Sequence, residues 1–213
     1  MVFLPVGILQ GLISPLTGVI TDKVSSKAPI IAGTILFSIS FYIFSRLSVH
    51  TEQSFIMISL YLRGIAMGMM FTSLSTVSLF DVPREKMAQA SGMLNTIRQL
   101  GGSLGVAIMA TVLSSRINYH VQMFGGAIQS TSVAFQNTVH HLSGFVQYHA
   151  GKSPLIAGKL SQHILLSDVN NQAYVEGIND VFLIATIVTL LCLVPVFFLH
   201  GNNKKKRLRQ NNS

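Results

Sequence analysis

Two arginines stand inside long stretches that otherwise carry no charge. Arg63 is the single charged residue in 53–80, and Arg98 the single one in 87–115. A guanidinium keeps its proton at any accessible pH and offers five N–H donors, so it can bind carbonyls as a structural pin or hold a solute in a water-filled cavity. Placed centrally in a bilayer it would cost about 2.5–3.5 kcal/mol on insertion scales. Each lies roughly 12–15 Å from one end of its stretch at 1.5 Å per residue. Asn95 and Gln99 fall within one helical turn of Arg98, so Arg63, Asn95, Arg98 and Gln99 form the candidate cavity set. The seven acids, Asp22, Glu52, Asp81, Glu85, Asp168, Glu176 and Asp180, all lie outside the apolar stretches. A proton-driven process would therefore need a titrating carboxylate outside these membrane cores.

Other patterns that could do chemistry do not survive inspection of their context. Gly101-Gly102-Ser-Leu-Gly105 sits inside an apolar helical stretch rather than after a strand, which excludes a dinucleotide turn. Ala150-Gly151-Lys152-Ser153 ends like a phosphate loop, yet Val146 stands where a glycine is required. No ATP site is readable, which argues against a primary pump. The single cysteine, Cys192, allows neither an internal disulfide nor a cysteine-based zinc site. Five histidines, His120, His140, His141, His149 and His163, lack metal-ligand spacing; they read as solvated helix residues, with pH sensing or metal binding as the alternatives. No metal and no cofactor is expected, and no enzyme activity.

Stepwise, the elements that must carry these residues follow from hydropathy. Charged residues are 10% of the 213, against about 25% in soluble globular chains, while 49% are hydrophobic. Residues 1–20, 28–45 and 181–199 are uncharged, and with 53–80 and 87–115 they make five stretches of bilayer-spanning length. The expectation is an all-α polytopic membrane protein: four transmembrane helices in 1–115, an extracytoplasmic connection in 116–178, a last span in 179–200 and a basic tail in 201–213. In the connection, Val121, Phe124, Ile128, Phe135, Val139, Leu142 and Val146 recur at helical spacing, predicting an amphipathic helix. The first stretch begins at Met1 with no basic flank or cleavage site, so it reads as the interior of a longer protein rather than as a signal.

The net charge of +8 raises the question of nucleic acid, but the position of the charges answers it. Nine basic residues (Lys23, Lys27, Arg84, Lys86, Lys204, Lys205, Lys206, Arg207 and Arg209) fall on one side of the spans, and four (Arg46, Arg116, Lys152 and Lys159) on the other. The richer side is expected to be cytoplasmic, with the C-terminus inside. The tail reads as an anchor for anionic headgroups, and no nucleic-acid partner is expected.

Three stretches carry paired glycines: Gly7 with Gly11, Gly64 with Gly68, and Gly101 with Gly105. Small residues let helix backbones approach where hydrophobicity gives no drive. Packing within one bundle, a homodimer seam, and helix gliding in a moving transporter all remain open for them.

These residues resemble a known family. GLISPLTGVITDKV is similar to the second-half copy of the major facilitator loop motif, with Gly18, Asp22 and Lys23 matching and Lys in place of the usual Arg. ASGMLNTIRQLGGSLGVAIMATVL (90–113) resembles the signature of the EmrB/QacA subfamily of fourteen-helix drug:proton antiporters, and YLRGIAMGMMF and NQAYVEGINDVFLIA resemble its flanking helices. The resemblance covers nearly all of the chain except 116–165. It implies five helices from the C-terminal half of a secondary multidrug exporter in the inner (plasma) membrane. Its expected partners are the bilayer, protons, an amphipathic small-molecule substrate and the absent N-terminal half. The resemblance further implies that Asp22 and Lys23 help gate rocking between halves, and that Asn95, Arg98 and Gln99 lie near the central cavity. The alternative is a non-transporting truncated or accessory membrane protein.

Overall fold

The structure is a computed structural model that describes residues 4–23, 27–49, 51–80, 82–127, 133–151 and 153–198. Among these there is no strand. Seven helices follow in order: α1 (Leu4–Lys23), α2 (Lys27–Phe44), α3 (Gln53–Ser78), α4 (Met87–Ala127), α5 (Val133–Ala150), α6 (Pro154–Leu191) and α7 (Leu193–Phe198). A 3-10 turn at Arg84–Lys86, entered through Pro83 with its extended backbone, leads into α4. Four described helical stretches are long and apolar enough to cross a membrane, and a fifth, Val6–Thr21, is apolar but shorter. The chain is an all-α, polytopic membrane protein.

The side-chain distribution shows why. Beside eight apolar residues and several glycines, many of the buried positions bear hydroxyls, among them Thr17, Thr21, Thr34, Ser38, Ser40, Ser59, Ser73 and Ser161. Large apolar side chains such as Leu12, Leu16, Ile58, Leu104, Val106 and Leu191 are exposed. In water this arrangement would forfeit the hydrophobic drive, whereas in lipid the tails solvate the exterior and close packing of small residues holds the helices together. Half of these hydroxyls, those of Thr17, Thr34, Ser38 and Ser59, donate to a carbonyl four residues back in their own helix, Thr34 and Ser38 at 2.7 and 2.9 Å.

The chain divides into two compact units, one comprising 1–46, 51–108 and 182–213, the other 47–50 and 109–181. In the first, α3 lies between α1 and α2. A Cβ on Gly64 would come within 3.0 Å of the Val6 carbonyl oxygen, and one on Gly68 within 3.1 Å of that of Gln10. Residues two apart on a helix point about 200° apart. Accordingly Ala66, between those glycines, meets α2, where a Cβ on Gly33 would lie 3.2 Å from the Ala66 carbonyl and 2.8 Å from Met70. Two polar contacts pin these crossings: Thr21 and Ser73 hydroxyls are 3.1 Å apart, and Ser40 donates to the Ser59 carbonyl at 2.9 Å. Phe182 of α6 packs on Phe41 and Phe44, and Lys27 donates to the Phe197 carbonyl of α7.

The second unit holds the far part of α4, α5 and the near part of α6. Gly177 lies so close to α4 that a Cβ would sit 2.7 Å from the Ile117 side chain and 3.1 Å from its backbone nitrogen. Asn179 donates to the Leu47 carbonyl at 2.7 Å.

The helical stripe predicted for the connection falls on two described helices. It is divided between the end of α4 and α5, and Ile128 lies outside the described residues. Helices do not end where hydropathy falls. At 41 and 38 residues, α4 and α6 are about 60 Å long, twice a bilayer's hydrocarbon core, so each continues beyond it. The tail at 201–213 lies outside the described residues.

Candidate functional site

Arg98 is the best-defined polar feature among the membrane stretches. Its guanidinium carbon lies 4.2 Å from the centroid of the Phe71 ring, within cation–π range. One terminal nitrogen donates to the Ser75 hydroxyl at 3.1 Å, and the other to the Asn95 side-chain oxygen at 3.4 Å. Ser75 gives its own proton to the Phe71 carbonyl at 2.7 Å, which turns an oxygen lone pair toward Arg98. Thus α3 and α4 together orient the fork. Two of its five N–H groups are engaged this way, and among the described residues no carboxylate pairs with it.

Arg98 meets α3 close to that helix's end. Ser75 is three residues from the end of α3 at Ser78, about 5 Å along the axis. Arg98 lies well inside α4, but helical side chains lean toward their own N-terminus. The guanidinium consequently reaches back to the last turns of α3.

Arg63 occupies a separate setting. It is half-buried on α3, with its guanidinium carbon 6.0 and 5.9 Å from the ring centroids of Phe37 and Phe41 on α2. Twelve residues separate it from Ser75, about 18 Å along one helix. The structure therefore does not gather the four candidate cavity residues into one site. Asn95 joins Arg98, Arg63 stands apart with the α2 rings, and Gln99 is exposed with no bond to the cluster.

Of the gating-loop motif, Gly18 lies on α1 with a position for Cβ 3.9 Å from Thr72, while the side chains of Asp22 and Lys23 lie outside what is described. Of the six paired glycines, Gly64 and Gly68 sit at a helix crossing. Gly7, Gly11, Gly101 and Gly105 have nothing within 4 Å of an added Cβ. Residues 101–108 of α4 are exposed throughout.

One cluster escaped the sequence reading. The His120 ring nitrogen Nε2 lies 2.9 Å from an Asp180 carboxylate oxygen, and Arg116 Nε approaches the same oxygen at 3.7 Å. The His120 side chain is only 12% exposed, with its Nδ1 buried and unpartnered and the rings of Tyr119 and Phe124 against it. Arg116 and His120 are four apart on α4 and hence share a face, which was a readable signal. Their acid, 60 residues away, was not.

Comparison with known proteins decides the family. The Major Facilitator Superfamily profile matches residues 1–106, which include α1 to α3 and the Arg98 cluster. The chain belongs to the major facilitator superfamily. This facilitator chain is 26% identical over 212 residues to the uncharacterized MFS-type transporter YhcA of Bacillus subtilis, covering 97% of the chain and 39% of that relative. It is 25% identical to the fatty acid resistance protein FarB of Neisseria gonorrhoeae (92% of the chain, 36% of the relative). It is 24% identical to the multidrug export protein EmrB of Haemophilus influenzae (91% and 36%). The facilitator chain thus spans under two-fifths of the length of these relatives.

Proposed function

We propose that this chain forms the C-terminal part of a secondary exporter of the multidrug type, which expels amphipathic molecules across the plasma membrane in exchange for protons. The observation that carries this reading is similarity along nine-tenths or more of the chain to relatives named for multidrug export and fatty acid resistance. The arrangement of helices supports it. Contacts built from glycine and hydroxyl residues bury little apolar surface, so helices can shift against each other at small cost, as alternating access requires. Transport in this fold uses two halves around a midplane site, and five helices supply one wall. Arg98 and Asn95 are the polar groups that this wall offers to a solute, with Arg63 on its own. Gly18, Asp22 and Lys23 act in this reading as the loop that gates rocking.

The test is dye efflux from energised vesicles. Vesicles containing this polypeptide together with the N-terminal portion of its exporter should show uncoupler-sensitive efflux, and vesicles with this polypeptide alone should show none. Efflux by this chain alone at the same level would replace the half-transporter reading with an oligomer of five-helix units. No efflux from the combination would favour an accessory membrane protein.

A further inference from the structure

We propose that Arg98 is an anion-binding residue which takes the head group of an amphiphile, a carboxylate or phosphate carried on an alkyl tail. The role of such a ligand as cargo rests on the exporter reading above, whereas its binding does not. Three observations carry the assignment. First, the guanidinium is oriented in advance: the Phe71 ring supports one face at 4.2 Å, and Ser75 and Asn95 hold its two terminal nitrogens. Three N–H donors then remain for a ligand, and a planar fork with fixed donors matches an oxyanion better than a flexible ammonium does. Second, the charge is uncompensated among the described residues, where Asp180 in the other unit is the acid that forms ion pairs. A cation supported by a ring and two neutral polar groups on an apolar surface gains most from an anion that brings its own charge. Third, the surroundings suit a tail. Phe71 lies on the α3 face that carries Ser75, one turn toward the helix start, Leu74 and Ile97 adjoin Ser75 and Arg98 in the chain, and all three apolar residues are exposed. Because the guanidinium lies about 5 Å from the α3 end, the head would sit near the membrane surface with the tail along α3 toward the core.

Two sources present this chemistry, an anionic lipid and a dissolved long-chain acid, and the experiment separates them. The chain is reconstituted in phosphatidylcholine nanodiscs and titrated with a fluorophore-tagged dodecanoate and with a trimethylammonium probe of the same tail and tag. The carboxylate should bind saturably and about tenfold more tightly than the ammonium. Arg98→Gln should abolish that preference, and Arg98→Lys should keep part of it. Ser75→Ala, which leaves the charge and the helix intact, should weaken carboxylate binding about threefold, so the proposal stays testable if Arg98→Gln fails to fold. Adding phosphatidylglycerol to the discs identifies the source: competition assigns the site to a lipid head group, and unchanged affinity assigns it to a dissolved acid. Equal binding of the two probes, no saturable binding, or carboxylate affinity unaffected by both Arg98→Gln and Ser75→Ala would overturn the proposal. Since binding is read without transport, a negative efflux result leaves this measurement standing, and the reverse holds too.

Discussion

At the scale of single residues, the most informative positions are those whose partners lie far along the chain. Asp180 lies 2.9 Å from the His120 ring nitrogen on α4 and 3.7 Å from Arg116, so Asp180→Asn removes the carboxylate that both side chains face. The pair is partly exposed, and the loss should be about 1 kcal/mol. Thermal melts of the purified chain followed by circular dichroism would show a lower midpoint for Asp180→Asn, with the gap narrowing at high salt. An unchanged midpoint at low salt would mean that the cluster contributes nothing to holding α4 and α6 together. For Asp22 the prediction concerns motion rather than stability. A carboxylate at a helix end, as Asp22 is at the end of α1, biases a two-state equilibrium if it pairs with a cation in one state and releases it in the other. Under the exporter proposal, Asp22→Asn in the full-length protein should therefore reduce transport more than it reduces the amount of protein in the membrane. Normal export by a well-expressed variant would make Asp22 an interchangeable surface charge.

Elements show a contrast between glycines that share a sequence pattern. The pairs at 64/68 and 101/105 look alike in the sequence, yet the structure separates them. On α3 a Cβ at Gly64 or Gly68 would press on α1 backbone at 3.0–3.1 Å, and backbone cannot turn aside as a side chain can. Gly68→Val should cost about 1–3 kcal/mol through overpacking. Gly101→Ala adds a methyl where this chain has nothing within 4 Å, and should stabilise α4 by up to about 1 kcal/mol through helix propensity. Melts of the two variants beside the parent would test the pair. A destabilising Gly101→Ala in the isolated chain would show a close neighbour that the fold described here does not have.

For the whole molecule, we propose that the side carrying nine basic residues, the C-terminus included, faces the cytoplasm, against four on the other side. Cys192 is the chain's one native thiol, so the test uses a Cys192→Ser background that leaves the introduced cysteine as the single target. An impermeant thiol reagent applied to intact cells should label His141→Cys, which is exposed on α5, and should not label Lys205→Cys in the tail. Labelling of Lys205→Cys from outside would reverse the orientation.

The sequence by itself determined that the chain lives in a membrane, that its spans are helical, and which arginines and glycines stand out. These properties depend on composition and short-range spacing: about 20 apolar residues make a span whatever surrounds them. It also carried the family likeness, because ordered motifs survive in a linear string. Only the tertiary structure decided which glycines meet another backbone, that Arg98 leans back to Ser75 and Phe71 while Arg63 rests beside Phe37 and Phe41, and that His120 and Asp180 pair across 60 residues. Each of those depends on the angle and depth at which helices cross. With lipid outside and no hydrophobic force between helices, that crossing is set by small-residue contacts and a few hydrogen bonds, which helical spacing alone cannot choose among.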